Sequence, residues 1–137
     1  MLDQVMSMAG PSVTLTYAAV LGLIFVVLSF NVATKRGSMK ISHGPGPNNE
    51  IEGAMRAQEN FAEYVPLALI LMAGLEMTGA DASILRWIGG LLVVVRLSHA
   101  IGLIAGPKLI IARAIGALGT LLIIAAESIW ALVRVLS

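Results

Sequence analysis

The chain has 137 residues, 58% of them hydrophobic and only 12% charged, with a formal net charge of +1 and no cysteine. A soluble domain carries roughly twice that share of charge, so lipid is the solvent for most of this surface, and the length suits one domain, residues 1–137. The dispersed basic residues lack the aromatic-interleaved patch of a nucleic-acid binder, and the missing cysteine excludes disulfides, thiolate metal sites and a cysteine nucleophile, so any thiol chemistry must use a substrate's thiol.

The first uncharged run lies between Asp3 and Lys35. Its apolar part, about 13–33, has the length of one membrane-spanning helix. No basic segment precedes it, so a cleaved signal peptide is not expected. Pro11-Ser12 suits the start of this helix, with Ser12 as N-cap. Lys35, Arg36 and Lys40 follow at once, and then Gly44-Pro45-Gly46-Pro47 forces a loop. Asn49 and Glu52 stand at the spacing of a capping box, which opens a second helix over about 50–77. Its uncharged part, Tyr64 to Leu75, is too short to cross about 30 Å of hydrocarbon alone. The polar turns before it must therefore lie inside the bundle, with Pro66 kinking or loosening the helix. Thr78-Gly79-Ala80-Asp81 connects to a third helix over about 83–105, and Gly106-Pro107-Lys108 to a fourth over about 109–135. The expected architecture is all-α, a transmembrane up-down-up-down four-helix bundle.

Lys35, Arg36, Lys40, Arg56, Lys108 and Arg113 fall on the side of the first and third loops, while Arg86 and Arg134 fall on the other. By the positive-inside rule the first side is cytoplasmic and both termini face out, and Trp87 and Trp130 sit where an outer aromatic belt would place them. The absence of a targeting segment fits a bacterial inner membrane.

Chemistry concentrates in Arg56-Ala57-Gln58-Glu59-Asn60-Phe61-Ala62-Glu63-Tyr64-Val65-Pro66. On a helix, Arg56, Asn60 and Glu63 fall within about 60° of one another, with Tyr64 beside them. A guanidinium fork for a carboxylate, an amide and a carboxylate for an ammonium suit a small zwitterionic, peptide-like ligand. A structural network built on an Arg56–Glu63 or Glu52–Arg56 pair is the competing reading, although ionisable groups within a membrane are functional by default. Arg96 is about 13 Å, and Glu127 about 9 Å, from the outer side at 1.5 Å per residue. Their similar depth predicts a structural ion pair. His99, one turn further in, and His43, in a loop, make no metal site. Arg113 and Lys108 either hold the third loop inside or lower the pKa of a bound thiol.

The motif Arg-Ala-Gln-x-Asn-x-x-Glu-Tyr-x-Pro, Arg56 to Pro66, with the Lys35-Arg36 pair, the Gly-Pro loop and the four-helix length, resembles the membrane-associated proteins in eicosanoid and glutathione metabolism. That family includes the microsomal glutathione transferases, leukotriene synthase and the microsomal prostaglandin synthase. The resemblance implies a homotrimer that binds glutathione between subunits toward the cytoplasmic half. It places Arg56, Gln58, Asn60, Glu63, Tyr64 and His99 around glutathione, with Lys35 or Arg36 contributed by a neighbouring first helix. It makes Arg113 the catalytic cation that stabilises the thiolate, for attack on an apolar electrophile or a lipid hydroperoxide arriving from the bilayer. Several relatives have Tyr where this chain has Leu103, Arg where it has Gly53, and Ser and Tyr where it has Ala114 and Ala117, so the pocket is thinner than theirs. The leading expectation is a membrane glutathione transferase or peroxidase. The alternative is a non-catalytic lipid-binding or scaffold protein of the same fold.

Overall fold

The computed structural model describes residues 10–137, so the start of the first uncharged run at Asp3 lies outside the described residues. Four long helices follow in order: α1 (Ser12–Met39), α2 (Glu52–Met77), α3 (Ala82–Ile104) and α4 (Ile110–Leu136), with a 3₁₀ turn (Gly106–Leu109) ahead of α4. Each is long and apolar enough to cross a membrane. Large side chains such as Leu23, Val27, Phe30, Ile70, Ile111 and Ile129 lie exposed around the outside, as a lipid-facing surface requires.

Several helix ends differ from expectation, each for a local reason. α1 continues through Lys35 and Arg36 to Met39, because nothing in that stretch blocks the backbone until Lys40 turns left-handed (φ 55°). There the Ile41 N–H returns to the Arg36 carbonyl at 3.0 Å, a Schellman-type closure. Ser12 is already helical and caps nothing. The opening amides of α1 are instead capped from another helix: Val13 N and Thr14 N donate to the Glu76 carboxylate at 2.8 Å each, and Thr14 Oγ1 donates to it at 2.8 Å. The expected capping box of α2 is also absent. Asn49 has φ 59°, outside the extended region an N-cap needs, and α2 starts from Ile51 without a side-chain cap. Asp81, by contrast, does cap the start of α3, accepting from Ser83 N at 2.8 Å and Ile84 N at 3.0 Å. α2 runs unbroken across Pro66.

Neighbouring helices are antiparallel. Gln58 on α2 donates to Ser29 on α1 at 3.1 Å, while Thr14 near the start of α1 meets Glu76 near the end of α2. A Cβ at Gly102 would lie 2.5 Å from Arg113 N, and one at Gly116 2.5 Å from both His99 N and the Val95 carbonyl. α3 and α4 therefore touch backbone to backbone at these two glycines. In lipid the hydrophobic effect does not drive helix association, so close approach at small residues and interhelical hydrogen bonds must carry it. The main core joins Leu21, Leu28, Phe61, Val65, Leu92, Val95 and Ile123 across all four helices. A second cluster under the 78–81 connection holds Val13, Met72, Leu75 and Leu85, with Trp130 packed against it. Trp130 is thus drawn into the bundle, whereas Trp87 is exposed as a belt residue would be.

Candidate functional site

At the end of the bundle that carries the first and third loops, α2, α3 and α4 part around a cleft of about 420 Å³. Arg56 and Glu52 enter it from α2 and Arg113 from α4, while Gly53, Leu103, Gly106 and Pro107 form its walls. Glu52 and Arg56, one turn apart, lie 3.7 Å from each other, the second of the two pairs the sequence allowed. Both side chains stay half-exposed, so the pair adds little stability and leaves its charges free for a ligand. Gly53 has no room for a side chain, since a Cβ there would lie 2.5 Å from the Leu103 carbonyl. That close packing accounts for glycine at a position where some members of the resembled family carry Arg.

Below the cleft lies a smaller cavity of about 50 Å³, lined by Asn60, Tyr64, Arg96, His99, Ala117, Thr120 and Leu121. Arg56, Asn60 and Tyr64 are spaced by four, which on a helix makes one stripe. The stripe leads from the open cleft to the smaller, partly enclosed cavity. Asn60 Nδ2 donates to the Arg56 carbonyl at 3.2 Å. His99 Nδ1 meets the Arg113 carbonyl at 2.9 Å. A carbonyl only accepts, so Nδ1 carries the proton and Nε2 is the ring's free nitrogen. The close contact at Gly102 and Gly116 is what brings the His99 ring to that carbonyl.

Arg96 is 1% exposed and His99 5%. Arg96 Nη1 reaches Thr120 Oγ1 at 3.4 Å, and that hydroxyl itself donates to the Gly116 carbonyl at 2.8 Å. The guanidinium carbon lies 5.4 Å from the Phe61 ring centre and 5.9 Å from that of Tyr64, close enough for cation–π attraction. Arg96 Nε and Nη2 and His99 Nε2 have no hydrogen-bond partner among the described residues.

The expected Arg96–Glu127 ion pair is not formed. Arg96 lies level with Thr120, and Glu127 is seven residues further along α4, about 10 Å away at 1.5 Å per residue. Counting depth from the helix ends misjudged the register, which the Gly116–His99 and Gly119–Val95 contacts set. Glu127 is fully buried, and neither of its oxygens has a partner among the described residues.

The second-helix face divides. Arg56 belongs to the cleft and Asn60 and Tyr64 to the cavity, while Glu63 is exposed and lines neither. Gln58 turns the other way, to Ser29 of α1. Arg36 braces its own loop through the carbonyls of Gly44 at 3.1 Å and Ile41 at 3.4 Å, with Met55 Sδ at 3.4 Å. Lys35 is half-buried and lines neither space. Thr120 is the polar lining residue that sequence reasoning missed, and Arg96, expected in an ion pair with Glu127, lines the cavity instead. For Arg96 a signal existed, because its spacing of three from His99 puts both on one helix face.

The MAPEG family profile matches residues 14–133. The chain is 33% identical over 90 residues to the inner membrane protein YecN of Escherichia coli strain K12, covering 66% of this chain and 69% of YecN. The YecN of Escherichia coli O6:H1 strain CFT073 matches to the same extent. No solved structure matches significantly. With four membrane-length helices and a family match over most of its length, this chain is a membrane protein of the MAPEG family.

Proposed function

We propose that the protein is a glutathione-dependent transferase or peroxidase of a bacterial inner membrane, acting on an apolar electrophile or a lipid hydroperoxide. The observation that carries this reading is the cleft that Arg56, Glu52 and Arg113 share. Glutathione carries two carboxylates, an ammonium and a thiol. The Arg56 guanidinium beside the Glu52 carboxylate matches a carboxylate and the ammonium of glutathione, and the amide of Asn60 lies one turn below Arg56 for its peptide groups. Arg113 is the catalytic cation of this reading, its guanidinium in the cleft stabilising negative charge on sulfur. Tyr64 and His99 serve the reaction from the deeper cavity. Membership of a family that includes glutathione transferases supports the chemistry, and the name of the related inner membrane protein supports the location.

Glu59 and Glu63 are exposed on a helix long enough to span the membrane. Bare carboxylates in hydrocarbon are costly, which supports cover by a neighbouring copy in a homotrimer. In that arrangement Lys35 and the neighbour's cations complete the site, and Gln58 and Arg36 support it from behind. Leu103 in the cleft wall favours one alternative, a scaffold or lipid-binding protein that holds a ligand without activating it, since a leucine adds no hydrogen bond there.

The test is ultraviolet difference absorbance of the glutathione thiolate on detergent-solubilised protein. A saturable signal is expected for the unaltered chain. Arg113→Ala should lower it about tenfold or more, the equivalent of about 1.4 kcal/mol. Arg56→Ala should weaken glutathione binding about tenfold with the oligomer intact. Saturable binding without a thiolate points to the scaffold reading, and no binding ends both glutathione roles.

A further inference from the structure

Arg113 can stabilise a thiolate, but it cannot take the proton that the thiol must lose. We infer that His99 Nε2 is the acceptor of that proton, with Arg96 holding the anion from the floor of the cavity; the inference rests on the glutathione reading above. The first support is the His99 tautomer. The Arg113 carbonyl at 2.9 Å requires a proton on Nδ1, so in the neutral ring Nε2 presents a lone pair. That nitrogen is buried and has no partner among the described residues. The second is Arg96, 1% exposed, with Nε–H and Nη2–H likewise unpartnered. Both residues line the same cavity of about 50 Å³. A space with an acceptor on one wall and a cation on another is complementary to a group that brings an acidic hydrogen and leaves as an anion. Water alone answers the hydrogen bonds but not the charge of a buried guanidinium, which a bound anion would compensate.

The groups facing His99 from each packed element are Asn60 and Tyr64 of α2, the Arg96 cation of its own α3, and the Arg113 backbone and cation and Thr120 of α4. None is a carboxylate that would compete for Arg96. The step is balanced. The S–H bond of glutathione breaks, its electron pair stays on sulfur, and the proton forms an N–H bond at Nε2. The resulting imidazolium keeps its Nδ1–H on the Arg113 carbonyl, and the sulfur lies against His99 and the Arg96 guanidinium in the cavity both line, with the Arg113 side chain in the cleft above. The cavity holds a sulfur atom but not the tripeptide, whose bulk belongs in the cleft above.

Proton counting tests this on the unaltered chain. Glutathione is added to the purified protein in weakly buffered solution with a pH indicator, and thiolate absorbance is followed in parallel. Thiolate should form with well under one proton released to solvent per thiolate, because His99 retains it. His99→Asn keeps an N–H for the Arg113 carbonyl but removes the acceptor. It should reduce thiolate at neutral pH about tenfold or more, and any thiolate formed at higher pH should release a full proton. Release of one proton per thiolate by the unaltered chain overturns the inference while leaving the proposed function standing. So does a His99→Asn variant indistinguishable from it. Absence of any thiolate overturns both.

Discussion

Glu127 is the most isolated charge-bearing residue of the bundle. It is fully buried on the inner stripe of α4, with Gly116, Thr120 and Ile123, and lacks a partner for either oxygen among the described residues. A buried polar group without a hydrogen bond costs roughly 1–3 kcal/mol. Glu127→Met, similar in length and apolar, should therefore raise the thermal midpoint in detergent, through an unfolding free energy larger by about that amount. A lower midpoint would reveal a partner that one protomer does not supply. Arg96 is the contrasting case: its charge is partly offset by the rings of Phe61 and Tyr64, and its remaining donors face a cavity that a ligand can enter. Two buried ionisable residues of opposite sign thus have different fates, because helix register, not depth, decides what each one meets.

Among the elements, α1 depends most on another helix. Its first turn has no side-chain cap of its own, and Glu76 of α2 supplies one through Val13, Thr14 and the Thr14 hydroxyl. Losing a helix cap costs about 0.5–2 kcal/mol. Glu76→Ala should speed amide exchange at the first turn of α1 and lower the thermal midpoint, with the unfolding free energy reduced by an amount in that range. Unchanged exchange would mean that membrane or solvent caps this end instead. The same end of the bundle is tied further, with the Arg134 guanidinium of α4 donating to the Thr78 carbonyl and, at 3.2 Å, to its hydroxyl. No sequence pattern near Ser12 announces the Glu76 cap, because its donor and acceptor are separated by 62 residues. Asn49 and Glu52 did match a capping pattern, but the left-handed backbone at Asn49 places the loop differently.

For the whole molecule, the reading depends on which end of the bundle faces the cytoplasm. Six of the basic residues gather at the cleft end and two at the other, and this bias sets orientation. The chain's lack of cysteine makes the test direct. In intact cells, Ser83→Cys beyond the outer connection should react with a membrane-impermeant maleimide, and Ser42→Cys in the first loop should react only after lysis. The reverse pattern would put the cleft on the outer face, away from cytoplasmic glutathione. The proposed homotrimer would add chemistry at this scale. Glu63 and Lys35 line neither space of the single chain, and a neighbouring copy is the natural place for them to act.

Composition and hydrophobic run length alone specify four apolar helices, their short connections and the basic bias of one end, because span length and charge placement are one-dimensional properties set by bilayer thickness and charge transfer. The motif from Arg56 to Pro66 likewise exposes the family in the sequence itself. Only the tertiary structure decides which motif residues act together. Helical periodicity groups Arg56, Asn60, Glu63 and Tyr64 on one face, but packing against α3 and α4 keeps Arg56, Asn60 and Tyr64 along the cleft and cavity and leaves Glu63 outside. The same packing, fixed where Gly102 and Gly116 let two backbones touch, separates Arg96 from Glu127 and brings His99 to Arg113. Register between helices depends on side-chain volumes at contacts far apart in sequence, and no local pattern encodes it.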